Sequence, residues 1–146
     1  PTPPVDPGQL GAALVPHDDP SATELAWLRT RYDEIARVAT TVGAPFVVVV
    51  FPYAAQVDGR QPHRVQERLA TLARDAGWPA VDLLPVLRDA ARAGTSLFLD
   101  PWHLTPAGSR VVADALAARF RCLGLLPLPA NGGCPDAPVA APSPQD

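Results

Sequence analysis

Hydrophobic residues recur at three- and four-residue steps along the first predicted helix and then give way to an unbroken apolar run. The stepped positions are Leu25, Leu28, Tyr32, Ile35, Ala39 and Val42, and this spacing places them on one face of an α-helix. Ser21 and Glu24 fit the capping box that begins a helix, and Gly43 is a residue that ends one. The pattern therefore predicts a helix from Ser21 to Val42 whose intervening charged residues face solvent.

The unbroken run, Phe46–Phe51, predicts a β-strand. It is apolar and rich in β-branched residues, which suits a strand buried on both faces of a parallel sheet. Pro52 and Tyr53 end the run, and residues 54–62 are expected to form a loop at its carboxyl end, where open α/β sheets bind ligands. A second, shorter strand is predicted over residues 80–84.

Three further helices complete the predicted order of helix, strand, helix, strand, helix and helix. They cover residues 64–76, residues 85–93 and a last segment from Pro106 to Phe120 or Leu123. Thr105 followed by Pro106 is a strong start for the last one, because threonine caps free amides and proline is tolerated at the first helical position. This order indicates an α/β fold with a layered sheet and right-handed crossovers.

The domain organisation follows from where these elements lie. Residues 1–20 are predicted to be an irregular lead-in, residues 21–123 the folded domain, and residues 124–146 a Pro/Ala-rich tail. The first eight residues contain four prolines and no methionine, so we expect natural sequence upstream of them.

Composition narrows the classes of partner. The 146 residues are 47% hydrophobic, which suffices for one domain. The formal net charge is −3 and the twelve basic residues are dispersed arginines, which argues against nucleic acid or an acidic membrane surface as the main partner. No apolar run reaches the roughly 18 residues needed to span a bilayer.

The two cysteines leave the compartment open. Cys122 and Cys134 flank part of the tail. They close a small loop in an oxidising, extracytoplasmic compartment and are free thiols otherwise.

The candidate chemistry is concentrated in Asp100-Pro101-Trp102-His103. A catalytic histidine needs one ring nitrogen held by an acceptor so that the other faces the reacting proton. Asp100 is a candidate for that acceptor. Pro101 disfavours helical geometry at Asp100, so both side chains are expected on one tight loop, with His103 just outside the amino end of the last helix.

The segment Leu99-Asp100-x-x-His103-Leu104-Thr105-Pro106-x-Gly108 resembles the last conserved block of the SGNH (GDSL-like) hydrolases. The resemblance implies a three-layer α/β sandwich with a parallel sheet, of the flavodoxin-like type, of which this chain is the C-terminal half. It also implies that Asp100 and His103 are two members of a Ser-His-Asp triad.

The serine of the triad is missing from the place where the family carries it. The family carries its serine in a Gly-Asp-Ser block, with a Gly and an Asn completing the oxyanion hole, and none of these blocks is present. The serines of this chain are Ser21, Ser96, Ser109 and Ser143, and the asparagine is Asn131 in the tail. The resemblance therefore implies a complementary N-terminal segment or chain that carries the nucleophilic serine.

The resulting hypothesis is a serine-dependent ester hydrolase or acyl transferase, acting on a small ester or an acylated carbohydrate. The alternative is a non-catalytic binding or interaction domain on the same scaffold. The structural alternative for the pair is that Asp100 caps or braces its loop and His103 is a surface residue beside the helix.

Other polar and aromatic residues are weaker candidates. Tyr53 and Trp102 are predicted to bind substrate, and Gln56 and His63 to line the same pocket, although each also fits an ordinary surface loop. Three further candidates are more simply explained by structure. Trp27 is expected to be a covering residue, Asp82 a structural acceptor near the loop tips, and the cluster His17-Asp18-Asp19 a solvated turn. His17, His63 and His103 lack convincing metal-ligand spacing, so neither a metal nor a cofactor is expected.

Overall fold

The computed structural model describes residues 19–127 and Cys134. The elements are α1 (Ala22–Thr41), β1 (Val48–Val50), α2 (Ala54–Val57), α3 (Arg64–Ala76), β2 (Ala80–Asp82), α4 (Leu84–Arg92) and α5 (Pro106–Cys122). The predicted lead-in, apart from Asp19 and Pro20, and most of the predicted tail lie outside the described residues, as does His17.

The sheet consists of β1 and β2, which pair in parallel as predicted. Val48 lies opposite Ala80 and Val50 opposite Asp82. The Leu83 amide extends the pairing by donating to the Val50 carbonyl over 3.1 Å. Each strand is three residues long, shorter than predicted, because a strand is defined by its hydrogen-bonded partner and the hydrophobic run continues beyond it.

The two faces of the sheet contact different helices. Val48 and Val50 pack with Ala73 of α3 on one face. On the other face lies a larger buried cluster made of Val57, Val81, Leu83, Leu84, Leu87, Leu97 and Val112, against which Val47 and Val49 also pack. Side chains alternate across a strand, so adjacent valines of β1 serve both clusters. Within the described residues this is a partial α/β fold, and a wider three-layer sandwich is not seen.

The helix α1 begins as predicted, but its apolar face is at most half-buried. The Ser21 amide donates to the Glu24 carboxylate over 2.8 Å, and the Glu24 amide donates to Ser21 Oγ over 3.2 Å. Ile35 and Val42, assigned to the buried face from their spacing, are 53% and 74% exposed. The cause is that α1 packs on α3, and its Tyr32 packs edge-on against Phe46 and Trp78. This support is too narrow to cover both positions.

The predicted loop over residues 54–62 contains a short helix, α2. The Gln56 side chain reaches back and accepts the Tyr53 amide over 3.0 Å, which satisfies one of the free amides at the start of a helical turn. The sequence prediction of an irregular loop was therefore wrong at Ala54–Val57.

Cys122, the last residue of α5, forms a disulfide with Cys134. Among the helices described, none combines the length and the apolar character needed to cross a bilayer.

Candidate active site

The segment from Leu97 to Thr105 folds back on itself as a tight hairpin-like loop. Phe98 and Leu104 form an antiparallel bridge. The Leu99 amide donates to the His103 carbonyl over 2.8 Å, and the Thr105 amide donates to the Leu97 carbonyl over 2.9 Å. These two hydrogen bonds join the arms of the loop at successive positions. Asp100 and His103 therefore lie on one short turn, as the sequence predicted.

The start of α5 fixes this loop against the domain. Thr105 Oγ1 accepts the Gly108 amide over 3.0 Å and donates to the Ser96 carbonyl over 2.7 Å. Gly108 is buried, and a Cβ at that position would overlap the Leu97 carbonyl oxygen. The Thr-Pro-x-Gly sequence therefore provides both the cap of the helix and the close approach of the loop to its first turn.

The Asp100 carboxylate is held by three donors of its own loop. Oδ1 accepts the Trp102 and His103 amides, each over 2.8 Å, and Oδ2 lies 2.7 Å from His103 Nδ1. The Trp102 amide, the His103 amide and the His103 ring, in that order of size, lower the pKa of Asp100 from 3.8 to about 2. Asp100 is therefore an ionised acceptor throughout the physiological range.

His103 is thereby oriented for proton transfer. With Nδ1–H donating to an ionised carboxylate, Nε2 of the neutral ring is left as an acceptor. The ring borders a cleft of about 340 Å³, lined by Phe51, Pro52, Tyr53, Phe98, Trp102, His103, Leu104 and Ser109. The His103 side chain is 73% exposed. Within residues 19–127 no serine or threonine hydroxyl is hydrogen-bonded to its ring, although Ser109 lines the same cleft.

A second cavity adjoins the first. It has a volume of about 370 Å³ and is lined by Tyr53, Ala54, Ala55, Arg60, Gln61, Pro101 and Trp102. The Ala54 amide donates to the Pro101 carbonyl over 3.1 Å and so ties α2 to the Asp100–His103 loop. The two residues predicted to bind substrate, Tyr53 and Trp102, line both cavities.

A buried polar network supports the Tyr53 segment. Gln56 and Gln66 are almost fully buried and exchange side-chain hydrogen bonds of 2.8 and 3.3 Å. Gln56 Nε2 also donates to the Pro62 carbonyl over 3.2 Å, and the Arg88 guanidinium donates to the Gln56 carbonyl over 2.8 and 3.2 Å. The network joins α2, α3 and α4. Gln56 therefore holds the Tyr53 segment in place from the interior and does not line the His103 cleft.

Sequence reasoning missed Gln66 and Arg88, and it overlooked one available signal. Gln66 lies three residues before Leu69 and seven before Ala73, which is the spacing of residues that share one helix face. A polar residue on a buried face requires a partner, and Gln56 is that partner.

The other candidate residues lie away from the cleft. His63 Nε2 is 3.3 Å from a Glu67 carboxylate oxygen. Asp82 accepts the Leu84 amide over 2.9 Å at the start of α4, and desolvation raises its pKa. Asp19 lies 3.0 Å from Arg68, and among the described residues no group of three or more His, Cys, Asp or Glu is placed to hold a metal ion.

Comparison with known proteins gives one distant relative. No protein-family profile and no solved structure matches the chain. The chain is 34% identical over 83 residues to a protein of Azotobacter vinelandii named probable alginate O-acetylase AlgJ. The aligned part is 54% of this chain and 21% of that protein, so the chain spans about a fifth of the length of the curated relative it matches.

Proposed function

We propose that this chain supplies the His103–Asp100 part of a Ser-His-Asp ester hydrolase or acyl transferase, with the nucleophilic serine on a segment outside it. The observation that carries the proposal is the 2.7 Å contact between His103 Nδ1 and an Asp100 carboxylate whose other oxygen accepts two backbone amides. The resemblance to SGNH hydrolases and the name of the AlgJ relative both point to ester chemistry. In this proposal residues 21–123 are the C-terminal part of a three-layer SGNH-like sandwich.

In the proposed reaction the external segment supplies the serine, and this chain supplies the histidine and the aspartate. The serine oxygen attacks the acyl carbonyl carbon while its proton passes to His103 Nε2, and the carbonyl π electrons move onto the oxygen. Collapse of this intermediate breaks the ester bond, and the imidazolium returns the proton to the departing alcohol. Water, or an acceptor alcohol in a transferase, then releases the acyl group by the same proton path. Asp100 stays ionised and holds the imidazolium.

The exposure of the site supports a complementary segment. His103 is 73% exposed, whereas electrostatic stabilisation in such reactions needs a site from which water is excluded. Phe51 and Leu99, which lie close to the motif in the fold, are 51% and 72% exposed. A segment that delivers the serine would also cover these apolar side chains.

The lining of the two cavities supports a class of substrate, and the disulfide supports a compartment. Tyr53 and Trp102 lie between the His103 cleft and the second cavity, where they would contact the alcohol portion of a small ester or acylated carbohydrate. Because a disulfide persists in oxidising compartments, the Cys122–Cys134 bond supports an extracytoplasmic location.

The decisive experiment measures ester turnover by the complete protein with His103→Ala, using His63→Ala as the matched histidine control. General acid–base catalysis contributes about 10²- to 10⁴-fold, so His103→Ala should lower turnover of p-nitrophenyl acetate by at least 100-fold on that basis. His63 lies outside the cleft, and its replacement should leave turnover unchanged. Near-normal activity of His103→Ala would show the triad assignment to be wrong.

The location of the serine is tested by labelling with a fluorophosphonate. The 146-residue chain by itself should remain unlabelled, and the complete protein should be labelled on the other segment. Labelling that is lost in Ser109→Ala would place the nucleophile within this chain instead. A well-folded complete protein that is never labelled would favour a non-catalytic binding domain.

A further inference from the structure

The strand β1 has an open edge. β2 occupies one side of β1, and among the described residues no strand lies on the other side. Neighbouring residues of a strand direct their amides and carbonyls to opposite sides. The Val48 amide donates to the Pro79 carbonyl over 2.9 Å, and the Val50 carbonyl accepts the Leu83 amide over 3.1 Å. The amide and carbonyl of Val49 therefore point to the open edge, and neither has a partner within the part of the chain that the structure describes.

This edge is apolar and has space beside it. The residues that line a cleft of about 190 Å³ include Val49, Val50 and Phe51 of the β1 segment and Val65 and Leu69 of α3. Because successive side chains of a strand point to opposite faces, one cleft reaches three consecutive residues only along the edge of the strand. An unpaired apolar edge is a template for another strand, and parallel strands occur in larger, covered sheets.

The position of α1 indicates which strand belongs at this edge. Tyr32 of α1 packs against the cluster of Val48, Val50 and Ala73, so α1 and α3 lie on the same face of the sheet. Connections from strand to helix to parallel strand are right-handed in about 98% of cases. Viewed from α3, a strand that precedes α1 would therefore be followed by β1 and then by β2 in one direction across the sheet. That places the preceding strand on the open edge of β1.

The carboxyl half of α1 carries an uncovered apolar strip next to its packed face. Ile35, Val38 and Val42, which follows the helix, are 53%, 55% and 74% exposed. With 3.6 residues per turn they lie on one side of the packed face. The other side carries polar residues, among them Arg37 and Thr40. A strand added to the sheet beneath α1 would cover the apolar strip and leave the polar side in solvent.

We infer that the open edge of β1 and the apolar strip of α1 form one docking surface, and that its occupant is a parallel strand from a segment that precedes α1. The inference rests on the proposed function in identifying that segment with the one that carries the serine. The carboxyl ends of parallel strands meet at one edge of a sheet. The residues that follow the added strand would therefore lie beside Phe51 and Tyr53, which border the His103 cleft.

The test is amide hydrogen exchange followed by NMR in the complete protein and in the 146-residue chain. The Val49 amide should exchange at least about 100-fold more slowly in the complete protein, because pairing converts an exposed donor into a bonded one. The Val50 amide faces β2 and should be protected in both, which makes it the internal control. Nuclear Overhauser contacts of Val49 should identify a parallel neighbour.

A pair of matched variants tests the contribution of α1. Val38→Gln and Thr40→Gln each replace an exposed β-branched residue, one in the apolar strip and one on the polar side. In the complete protein Val38→Gln should lower the midpoint of urea denaturation by about 0.5 M, since it removes an apolar contact with the added strand. Thr40→Gln should leave the midpoint unchanged there, and neither variant should shift it in the 146-residue chain.

Several results would overturn the inference. A Val49 amide that exchanges equally fast in both proteins, or an antiparallel neighbour, would exclude the parallel strand. Protection that increases with the concentration of the 146-residue chain would identify a second copy as the occupant, and equal midpoints for the two variants in the complete protein would exclude α1. A protected Val49 in a complete protein that cleaves no ester would refute the proposed function alone. Ester cleavage that depends on His103 without protection of Val49 would refute only the docked strand.

Discussion

At the scale of single residues, Asp100 is the centre of the candidate site. Its carboxylate accepts two backbone amides and contacts the His103 ring, so one side chain both closes the loop and orients the histidine. A structural role and a catalytic role therefore coincide at Asp100, and a measurement has to separate them.

The acid dependence of stability isolates the structural role. The pKa of Asp100 is lowered from 3.8 to about 2 in the folded chain. A carboxylate with a lowered pKa stabilises the fold above its unfolded value and loses that contribution as pH falls toward the folded value. We expect the stability difference between the unaltered chain and Asp100→Asn to be full above pH 3.8 and to shrink toward pH 2.

Urea denaturation across this pH range, with the Asp100 side-chain carboxyl followed by carbon NMR, provides the measurement. The titration midpoint should lie near pH 2. A stability difference that stays constant with pH would show that the ionised carboxylate does not hold the loop.

Asp100→Asn also bears on turnover. Asparagine places an NH₂ donor against His103 Nδ1 and so favours the tautomer whose Nε2 already carries a proton.

At the scale of elements, the contact between α5 and the Asp100–His103 loop positions the site. The Gly108 amide is capped by Thr105 Oγ1, and its Cα faces the Leu97 carbonyl. A side chain at position 108 would push the helix away from the strand-like segment that begins the loop.

We therefore expect Gly108→Ala to lower the free energy of unfolding by about 1–3 kcal/mol, the usual cost of overpacking. Ala107→Ser on the same turn is exposed and should change it by less than about 0.5 kcal/mol. Urea denaturation measures both, and the amide signals of Asp100 and His103 should shift in Gly108→Ala only. Unaltered stability in Gly108→Ala would mean that the loop yields without cost.

At the scale of the whole molecule, the buried Gln56–Gln66 pair joins α2 to α3, and Arg88 of α4 binds the Gln56 carbonyl. The two glutamine side chains hydrogen-bond to each other, and the Arg88 guanidinium donates two hydrogen bonds to the Gln56 carbonyl. Removing one glutamine leaves the amide of the other partly unpaired in a buried site.

Gln66→Leu should therefore cost about 1–3 kcal/mol of unfolding free energy. Gln56→Leu should cost a similar amount or more, because it also removes the acceptor of the Tyr53 amide. The double variant should be destabilised by less than the sum of the two, with a coupling of about 0.5–3 kcal/mol. Additive losses in urea denaturation would show that the two amides do not depend on each other.

The exposure of two apolar residues is also a property of the whole molecule. Ile35 of α1 and Val42, the residue that follows it, stay exposed because α1 packs on α3 and on the rings of Phe46 and Trp78, which cover only part of its apolar side. The sequence spacing marked them as apolar positions, but spacing describes a helix face and not the width of the surface opposite it.

The sequence by itself determined the local features of this protein. Capping chemistry located the starts of α1 and α5, the hydrophobic run located β1, and Pro101 with the flanking residues determined the tight Asp100–His103 loop. These features depend on neighbours along the chain. The assignment of Asp100 and His103 to catalysis remains a proposal, as do the substrate-binding roles of Tyr53 and Trp102.

Only the tertiary structure decided which distant residues meet. It paired Gln56 with Gln66, placed Tyr53 of one segment beside Trp102 of another, and brought Arg60 into a cavity whose other walls are uncharged. It also buried Gln56, whose side chain caps the short helix α2, against α3 and α4. Such contacts depend on how the helices pack on the sheet, and periodicity along the chain carries no information about that packing.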